Sequence, residues 1–450
     1  MKFAFSSARY GLAESLGAGW ATGFDEASET NSPNVGPETM HALRLETNLH
    51  LQSVLRYSND NLGDLQEDLT KITRAAASYY AWLQETGITL LCFLTSSPHH
   101  YKTIALSAAC SLLGVKQMFF YLSIIDNRLL LIQRDFRSLK PPKLLETWSD
   151  DDNGPADRFI EQVKDTGHVV LDNNKIVEAL RRSLTFFYFY QAARLLAFFV
   201  RKFSQRGSSP MEPSFPKLLR TVSAEIRLAR NQRSYLANCR ELDDSFDSTV
   251  DREIEFFAHL QPESTTFPEQ IPFDDQVLAI SMLKRSVSEE ISIVFREHPA
   301  TRSYLNPVFF SPSRVGLWRS KSFAIRVRES GATLKISDYR KEQRKGMVAT
   351  VGGSIAIERA LKGLRTIVIG QPWFHEMPGI LRLEEIEGLT RIPQDWLETD
   401  KGLANEAEAY IRLIASRYTI KNFGVAHRAS LRELDRLELE RIDQILRNET

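Results

Sequence analysis

The sequence predicts an α/β protein in two halves, with a helical insertion inside the first. Three observations predict it. Continuous apolar runs of strand length recur, as in Gly87–Thr95 and Val115–Ser123, the pattern of strands buried on both faces. Stretches of helical spacing lie between such runs. Single glycines close those helices, Gly114 in the first half and Gly363 in the second, as C-cap residues do. At 450 residues the chain has room for two to four domains of roughly 100–200 residues.

The elements follow in order. Lys2–Phe5 reads as a short strand and Gly17–Pro37 as a polar loop. Leu65–Glu85 has helical spacing. Gly87–Thr95 is a strand, broken by Ser96-Ser97-Pro98-His99-His100. Tyr101–Leu113 is a helix and Val115–Ser123 the next strand, completing a βαβ unit. Residues 140–172, with Pro141-Pro142, Asp150-Asp151-Asp152 and Asn153-Gly154-Pro155, carry loop chemistry. Ile176–Phe203 and Phe215–Leu242 are helical, so residues 140–244 read as an insertion within a first domain, 1–245. The second domain, 246–430, holds strands at Glu255–His259, Ile291–Phe295, Thr333–Ile336, Met347–Val351 and Arg365–Ile369. Its helices are Asp275–Ser286, Ile355–Lys362 and Glu406–Ser416. A C-terminal helix is expected within 431–450.

Composition excludes several classes. Lys plus Arg equals Asp plus Glu at 57 each; duplex nucleic acid held by general phosphate neutralisation needs a basic excess, so no nucleic-acid partner is expected. Hydrophobic residues at 43% with zero net charge exclude a disordered chain. Cys92, Cys110 and Cys239 are isolated, which gives neither a disulfide framework nor a CxxC metal site and fits a reducing, cytoplasmic setting. The N-terminus lacks the apolar core of a signal peptide. Ser183–Val200, flanked by Arg181-Arg182 and Arg201-Lys202, has near-spanning length but contains Gln191 and Arg194. It reads first as a buried helix with aromatic faces, next as an interfacial helix on the inner membrane through 181–202, and last as a true span.

Ligands of open α/β sheets bind beyond the carboxyl ends of strands, so the loops there are the candidate sites. Met347–Val351 runs into Gly352-Gly353-Ser354 and a helix containing Glu358. Glycines admit close backbone approach, Ser354 can N-cap the helix, and the amides there suit a phosphate. A tight strand-to-helix turn is the alternative. Glu358 can reach a ligand hydroxyl or be a solvated helix residue. Arg296-Glu297-His298-Pro299 places a histidine at a strand end, held by a proline, where it can serve a phosphate or merely the turn. Gln261 and Glu263 lie in the polar loop after His259. His99 and His100 have no third ligand at recognisable spacing, and Asp150-Asp151-Asp152 reads as a solvated loop, so no metal is expected.

Taken in order, Gln261-Pro262-Glu263-Ser264-Thr265, Arg296-Glu297-His298-Pro299, Val348–Ser354 with Glu358, and Gly370-Gln371-Pro372-Trp373-Phe374 resemble the motifs of a family. It is the capsule or surface polysaccharide biosynthesis family of bacterial glycosyltransferase-like proteins, with Kdo-transferase-like members. The resemblance is best over 253–380, looser over 87–133, and does not extend over 140–244. It implies two facing Rossmann-like domains, the GT-B arrangement, and metal-independent transfer without a cofactor. It also implies a nucleotide-sugar donor, CMP-Kdo or a similar CMP-sugar, and a glycan or glycolipid acceptor. Within it, His298 with Pro299 would touch the nucleotide, Ser354 with Gly352 and Gly353 the phosphate, and Glu358 the ribose or sugar. Gln261 and Arg296 complete the donor set. Glu263 would be the catalytic carboxylate and His99 an acceptor-side residue or base. The chain departs from the family at Arg359, where relatives carry alanine, and at Leu364-Arg365, where they carry Lys-Pro. A non-catalytic polysaccharide-binding protein or a sugar-nucleotide epimerase would use the same fold.

Overall fold

The structure is a computed structural model that describes residues 3–5, 20–21, 35–49, 65–93, 101–125, 128–134, 141–147, 153–166, 182–204, 215–240, 250–261, 273, 275–305, 314–335, 346–421 and 444–445. The expected C-terminal helix within 431–450 lies outside them, apart from two residues.

The chain forms two sheets. The first contains β1 (Phe3–Phe5), β2 (Trp20–Ala21), β3 (Leu90–Phe93), β4 (Lys116–Leu122), β5 (Arg128–Gln133), β6 (Lys143–Leu144) and, from the far end of the chain, β13 (Thr419–Lys421). Its order is β13-β5-β4-β3-β1-β2, with β6 also on β5. β1 to β4 are parallel neighbours, whereas β5 turns back antiparallel on β4 and receives β13 antiparallel. Helices α1 (Pro37–Leu49), α2 (Leu65–Thr86) and α3 (Tyr101–Leu113) pack together beside this sheet. Leu91, Phe93, Phe119 and Ile132 from the strands and Ile104 and Leu106 from α3 share its core.

The stretch expected as one helical insertion is divided among three places. β6 joins the first sheet. Residues 154–166, expected as loop, form helix α4 (Gly154–Thr166). Pro155 sits in its first turn, where the missing N–H costs nothing, and Ala156, Phe159, Ile160 and Val163 bury one stripe. Helices α5 (Leu184–Ser204) and α6 (Phe215–Arg240) run as an antiparallel pair, with Phe198 stacked on Phe215 at one end. α6 places Tyr235, Leu236 and Cys239 in the core of the second sheet, although the sequence reading assigned it to the first domain.

The second sheet is wholly parallel: β7 (Glu253–Phe257), β8 (Ser292–Arg296), β9 (Ala332–Lys335), β10 (Met347–Thr350), β11 (Thr366–Val368) and β12 (Ile380–Leu381). Its order β12-β11-β10-β7-β8-β9 is the 3-2-1-4-5-6 order of the doubly wound fold. The chain moves outward from β7 to β9, then crosses back to β10, so β7 and β10 flank the topological switch point. α7 (Gln276–Ser286), the short α8 (Val315–Trp318), α9 (Lys321–Glu329) and α10 (Ile355–Ala360) lie between the strands, and α11 (Gln394–Leu397) and α12 (Lys401–Arg417) follow. The periodicity predicts a helix over Asp275–Ser286, and Asp275 stands as its N-cap, its side chain accepting from the Val277 amide.

The C-terminal segment ties the halves together. Asp400 caps α12 by accepting from Gly402 and Leu403. Ala407, Ile411 and Ile414 then pack in the same core as α3, α4 and α10. Arg412 bonds Asp157 of α4 at 2.8 Å, and β13 closes on β5. These are two α/β sheets in one chain.

Candidate functional site

The carboxyl ends of β7, β8 and β10 bring three expected loops together. Beyond β7 come His259 and Gln261, beyond β8 Glu297 and His298, and beyond β10 Gly352, Gly353 and Ser354. The loop ladder continues here, with Ala258 donating to the Arg296 carbonyl at 2.9 Å and Glu297 to the Lys335 carbonyl at 3.1 Å.

His259, which the sequence marks only as the start of a polar loop, stands at the switch point. His259 Nε2 accepts from the Gly352 amide at 3.2 Å and lies 3.4 Å from Thr350 Oγ1. Thr350 Oγ1 accepts from the Gly353 amide at 3.2 Å. Both glycine amides, expected for a phosphate, are thus engaged by side chains, His259 from beyond β7 and Thr350 from the end of β10 itself. Gly353 is required by that packing: a Cβ there would meet Thr350 Oγ1 at 2.9 Å. The close approach expected of the glycines exists, and it is made to His259 and Thr350.

Burial, with the nearby His298 and the Arg319 charge, pushes the His259 imidazole down to about 3. Because Nε2 accepts, the neutral ring carries its proton on Nδ1. The unfolded chain protonates this histidine near its ordinary value of 6.5, and the folded chain does not. Between those values only the unfolded state gains the proton. The contribution of His259 is complete above the unfolded value and is lost as pH falls, by about 1.4 kcal/mol per unit. Replacing His259 by Gln keeps an acceptor for Gly352 and removes the titration. Urea midpoints measured from neutral pH downward should fall less steeply for the variant; parallel slopes would show that His259 is not the group responsible.

His298 serves its own turn. Its Nδ1 accepts from the Ala300 amide at 3.2 Å, capping the 3₁₀ turn Pro299–Arg302, with Pro299 at the first position. In the neutral ring this leaves the proton on Nε2, as a donor. Ser354 occupies the N-cap position of α10 without a side-chain cap bond; its hydroxyl lies 3.5 Å from a Glu358 carboxylate oxygen. Glu358 is buried, not solvated. Arg296 pairs with Glu255 across β7 and β8, both buried. Glu263 and His99, the two expected acid–base residues, lie outside the described residues.

Arg319 and Glu297 form a buried polar cluster; Glu297 lies in the loop that the sequence marks, and no local pattern marks Arg319. Arg319 donates from Nε to Glu297 Oε2 at 2.6 Å, from one terminal nitrogen to Gln261 Oε1 at 2.6 Å, and from the other to the His259 carbonyl at 3.1 Å. It also lies over the Phe323 ring at 4.3 Å. Glu297 accepts in addition from the Tyr235 hydroxyl, from Thr301 Oγ1 at 3.0 Å and from the His298 amide at 2.8 Å. Burial and the Glu297 charge push the Tyr235 phenol well above its usual value, so it stays a donor. The same causes push the Cys239 thiol up to about 12, a structural and unreactive sulfur. Gln261, expected on the donor, is held here by Arg319.

Arg359, the departure noted above, has a structural explanation. It is buried and bonds the Arg365 carbonyl at 3.1 Å and the Gly346 carbonyl at 3.0 Å. Those carbonyls precede β11 and β10, at the sheet edge opposite the candidate site. Among the described residues no group of three or more His, Cys, Asp and Glu is placed to hold a metal ion.

No protein-family model matches the chain, and no curated protein is similar to it in sequence. Among solved structures, Thermosulfurimonas dismutans KpsC, beta Kdo 2,7 transferase, is 9% identical with a TM-score of 0.28, over 83% of this chain and 89% of that one.

Proposed function

We propose that the chain is a glycosyltransferase that takes a nucleotide-activated sugar at the switch point of its second sheet. The observation that carries this reading is the convergence of the three ordered loops at the ends of β7, β8 and β10. This is where open α/β sheets receive their ligands. The motif resemblance favours a CMP-sugar such as CMP-Kdo, with an acceptor in a bacterial surface polysaccharide or its lipid-linked precursor. The reaction would run in the cytoplasm.

In this reading the acceptor hydroxyl displaces the nucleotide at the anomeric carbon. Negative charge grows on the leaving phosphate, and hydrogen-bond donors placed beforehand stabilise it. His298 Nε2–H and the Ser354 hydroxyl are the donors this chain offers, with Glu358 beside Ser354 for a sugar or ribose hydroxyl. Glu263 would be the carboxylate and His99 the opposing group. The neutral His259 holds the Gly352 turn; for that amide to bind phosphate, the ligand must displace the imidazole.

One observation favours the second reading, a non-catalytic polysaccharide-binding protein: the amides of Gly352 and Gly353 are already bonded within the protein. Thermal shift with CMP, UDP and GDP separates the two. CMP at a hundredfold excess over its Kd should stabilise the chain by about 2.7 kcal/mol, and His298→Ala should remove the shift. If no nucleotide moves the melting temperature, transfer from a nucleotide sugar is ruled out. A shift with an acidic polysaccharide would then support the binding reading.

A further inference from the structure

Among the described residues, the large apolar side chains left exposed concentrate on α5. Tyr188 is 38% exposed, Phe189 71%, Leu196 66%, Phe199 39% and Val200 58%. At 100° per residue these positions, with the exposed Ala192 and Ala193, cover a continuous arc of the helix. No charge interrupts that arc. The one cation in the middle of the helix, Arg194, is turned to the opposite side, where it pairs with Glu225 of α6. Phe187 and Gln191 are buried on that inner side. α5 was expected first as a buried helix; it is buried along one side only.

The charge around this arc is one-sided. α5 has three basic residues and no acid, and α6 has six basic residues with Glu225 as its only acid. Arg220, Arg227, Arg230 and Arg233 of α6 are all exposed. In a chain whose total charge is zero, this concentration is a local excess. At the N-terminal end of α5, a cavity of ≈ 590 Å³ is lined by Arg182, Tyr188, Arg233 and Tyr304 among others. Two guanidinium-bearing residues and two phenols there suit a phosphate group at an apolar boundary.

We propose that the α5–α6 hairpin docks on an anionic phospholipid bilayer. α5 lies in the interface with its apolar arc in the acyl boundary, the α6 arginines face the headgroups, and the Arg182–Arg233 cavity takes a lipid phosphate. Two features favour a lipid surface over a second copy of the chain. An exposed apolar arc beside basic residues matches an anionic interface, whereas two copies would bring like charges together. Neither helix is a bilayer span: no described helix is long and apolar enough to cross a membrane.

The test is flotation of the full chain with vesicles of phosphatidylcholine alone or mixed with phosphatidylglycerol in equal parts. Binding should be at least about tenfold stronger to the mixed vesicles and should weaken with salt. Phe189→Glu with Leu196→Glu should abolish flotation. Arg227→Gln with Arg230→Gln should reduce it while leaving the melting temperature unchanged, since both side chains are exposed. Equal binding to both vesicles, binding to neither, or wild-type flotation of both variants overturns the proposal. So does a dimer in sedimentation velocity that the Phe189→Glu, Leu196→Glu variant converts to monomer, because a second copy would then cover the arc. The assay uses no nucleotide, so its result is independent of the transferase reading.

Discussion

Arg319→Met should cost the fold about 3–5 kcal/mol, the loss expected when one partner of a buried ion pair is removed. Arg319 is fully buried and its neighbour Glu297 is 2% exposed. Without the guanidinium, the Glu297 carboxylate keeps its three other donors but loses its countercharge, away from water. The damage is not confined to the pair. Arg319 also holds Gln261 and the His259 carbonyl, so it joins the exits of β7 and β8. Arg319→Lys should recover little, since one ammonium cannot reproduce a planar fork serving three partners. Adding Glu297→Gln to Arg319→Met should restore part of the loss, because it removes the uncompensated charge. Urea midpoints of the single and double variants check this. A double variant no more stable than Arg319→Met would mean that shape, not charge, dominates.

Gly316→Ala should destabilise the protein by about 3 kcal/mol, at the upper end of ordinary overpacking. A Cβ at Gly316 would stand 1.9 Å from the Leu228 carbonyl oxygen of α6 and 2.6 Å from its carbon. Both obstacles are helix backbone and cannot rotate aside. α8 leads directly into Arg319, while α6 carries Tyr235 to the same Glu297. Separating the two helices therefore pulls the buried cluster from both sides. Guanidinium denaturation of Gly316→Ala and of the exposed control Gly388→Ala makes the comparison. Gly388, unlike Gly316, has a positive φ of 72°, but nothing lies near its Cβ, so it should lose only the cost of left-handed backbone, about 1–2 kcal/mol. Equal losses at the two glycines would refute the close-packing argument.

Much of the second sheet was legible. Ile291–Phe295, Met347–Val351 and Arg365–Ile369 were expected as strands, and each contains or overlaps β8, β10 or β11. Strands buried on both faces must be apolar at every position, which leaves a local mark. Tyr101–Leu113 was expected with the bounds that α3 has, because Pro98 breaks the chain before it and Gly114 turns it at φ 70°. α4 was missed although its signals were present: an acidic run and Asn-Gly-Pro obscured a proline-started helix with an apolar stripe.

The candidate site was legible in its loops and not in its bonds. His298, Gly353 and Ser354 were found because they follow strands. Their own bonds are local, to Ala300, Thr350 and Glu358, whereas the bond from the Gly352 amide to His259 spans 93 residues and leaves no local mark. Arg319 had no signal at all. It follows a four-residue helix in a stretch without periodicity, and its importance exists only once Glu297, Gln261 and α6 surround it.

The sequence by itself therefore determined the α/β class, the strands buried on both faces and the order of the loops that end them. These follow from local periodicity and turn chemistry. Tertiary structure alone decided which half α6 serves, which group occupies the Gly352 amide, and which side of α5 remains uncovered. Each of those depends on pairing between distant segments, where burial makes an isolated polar group costly and fixes its partner.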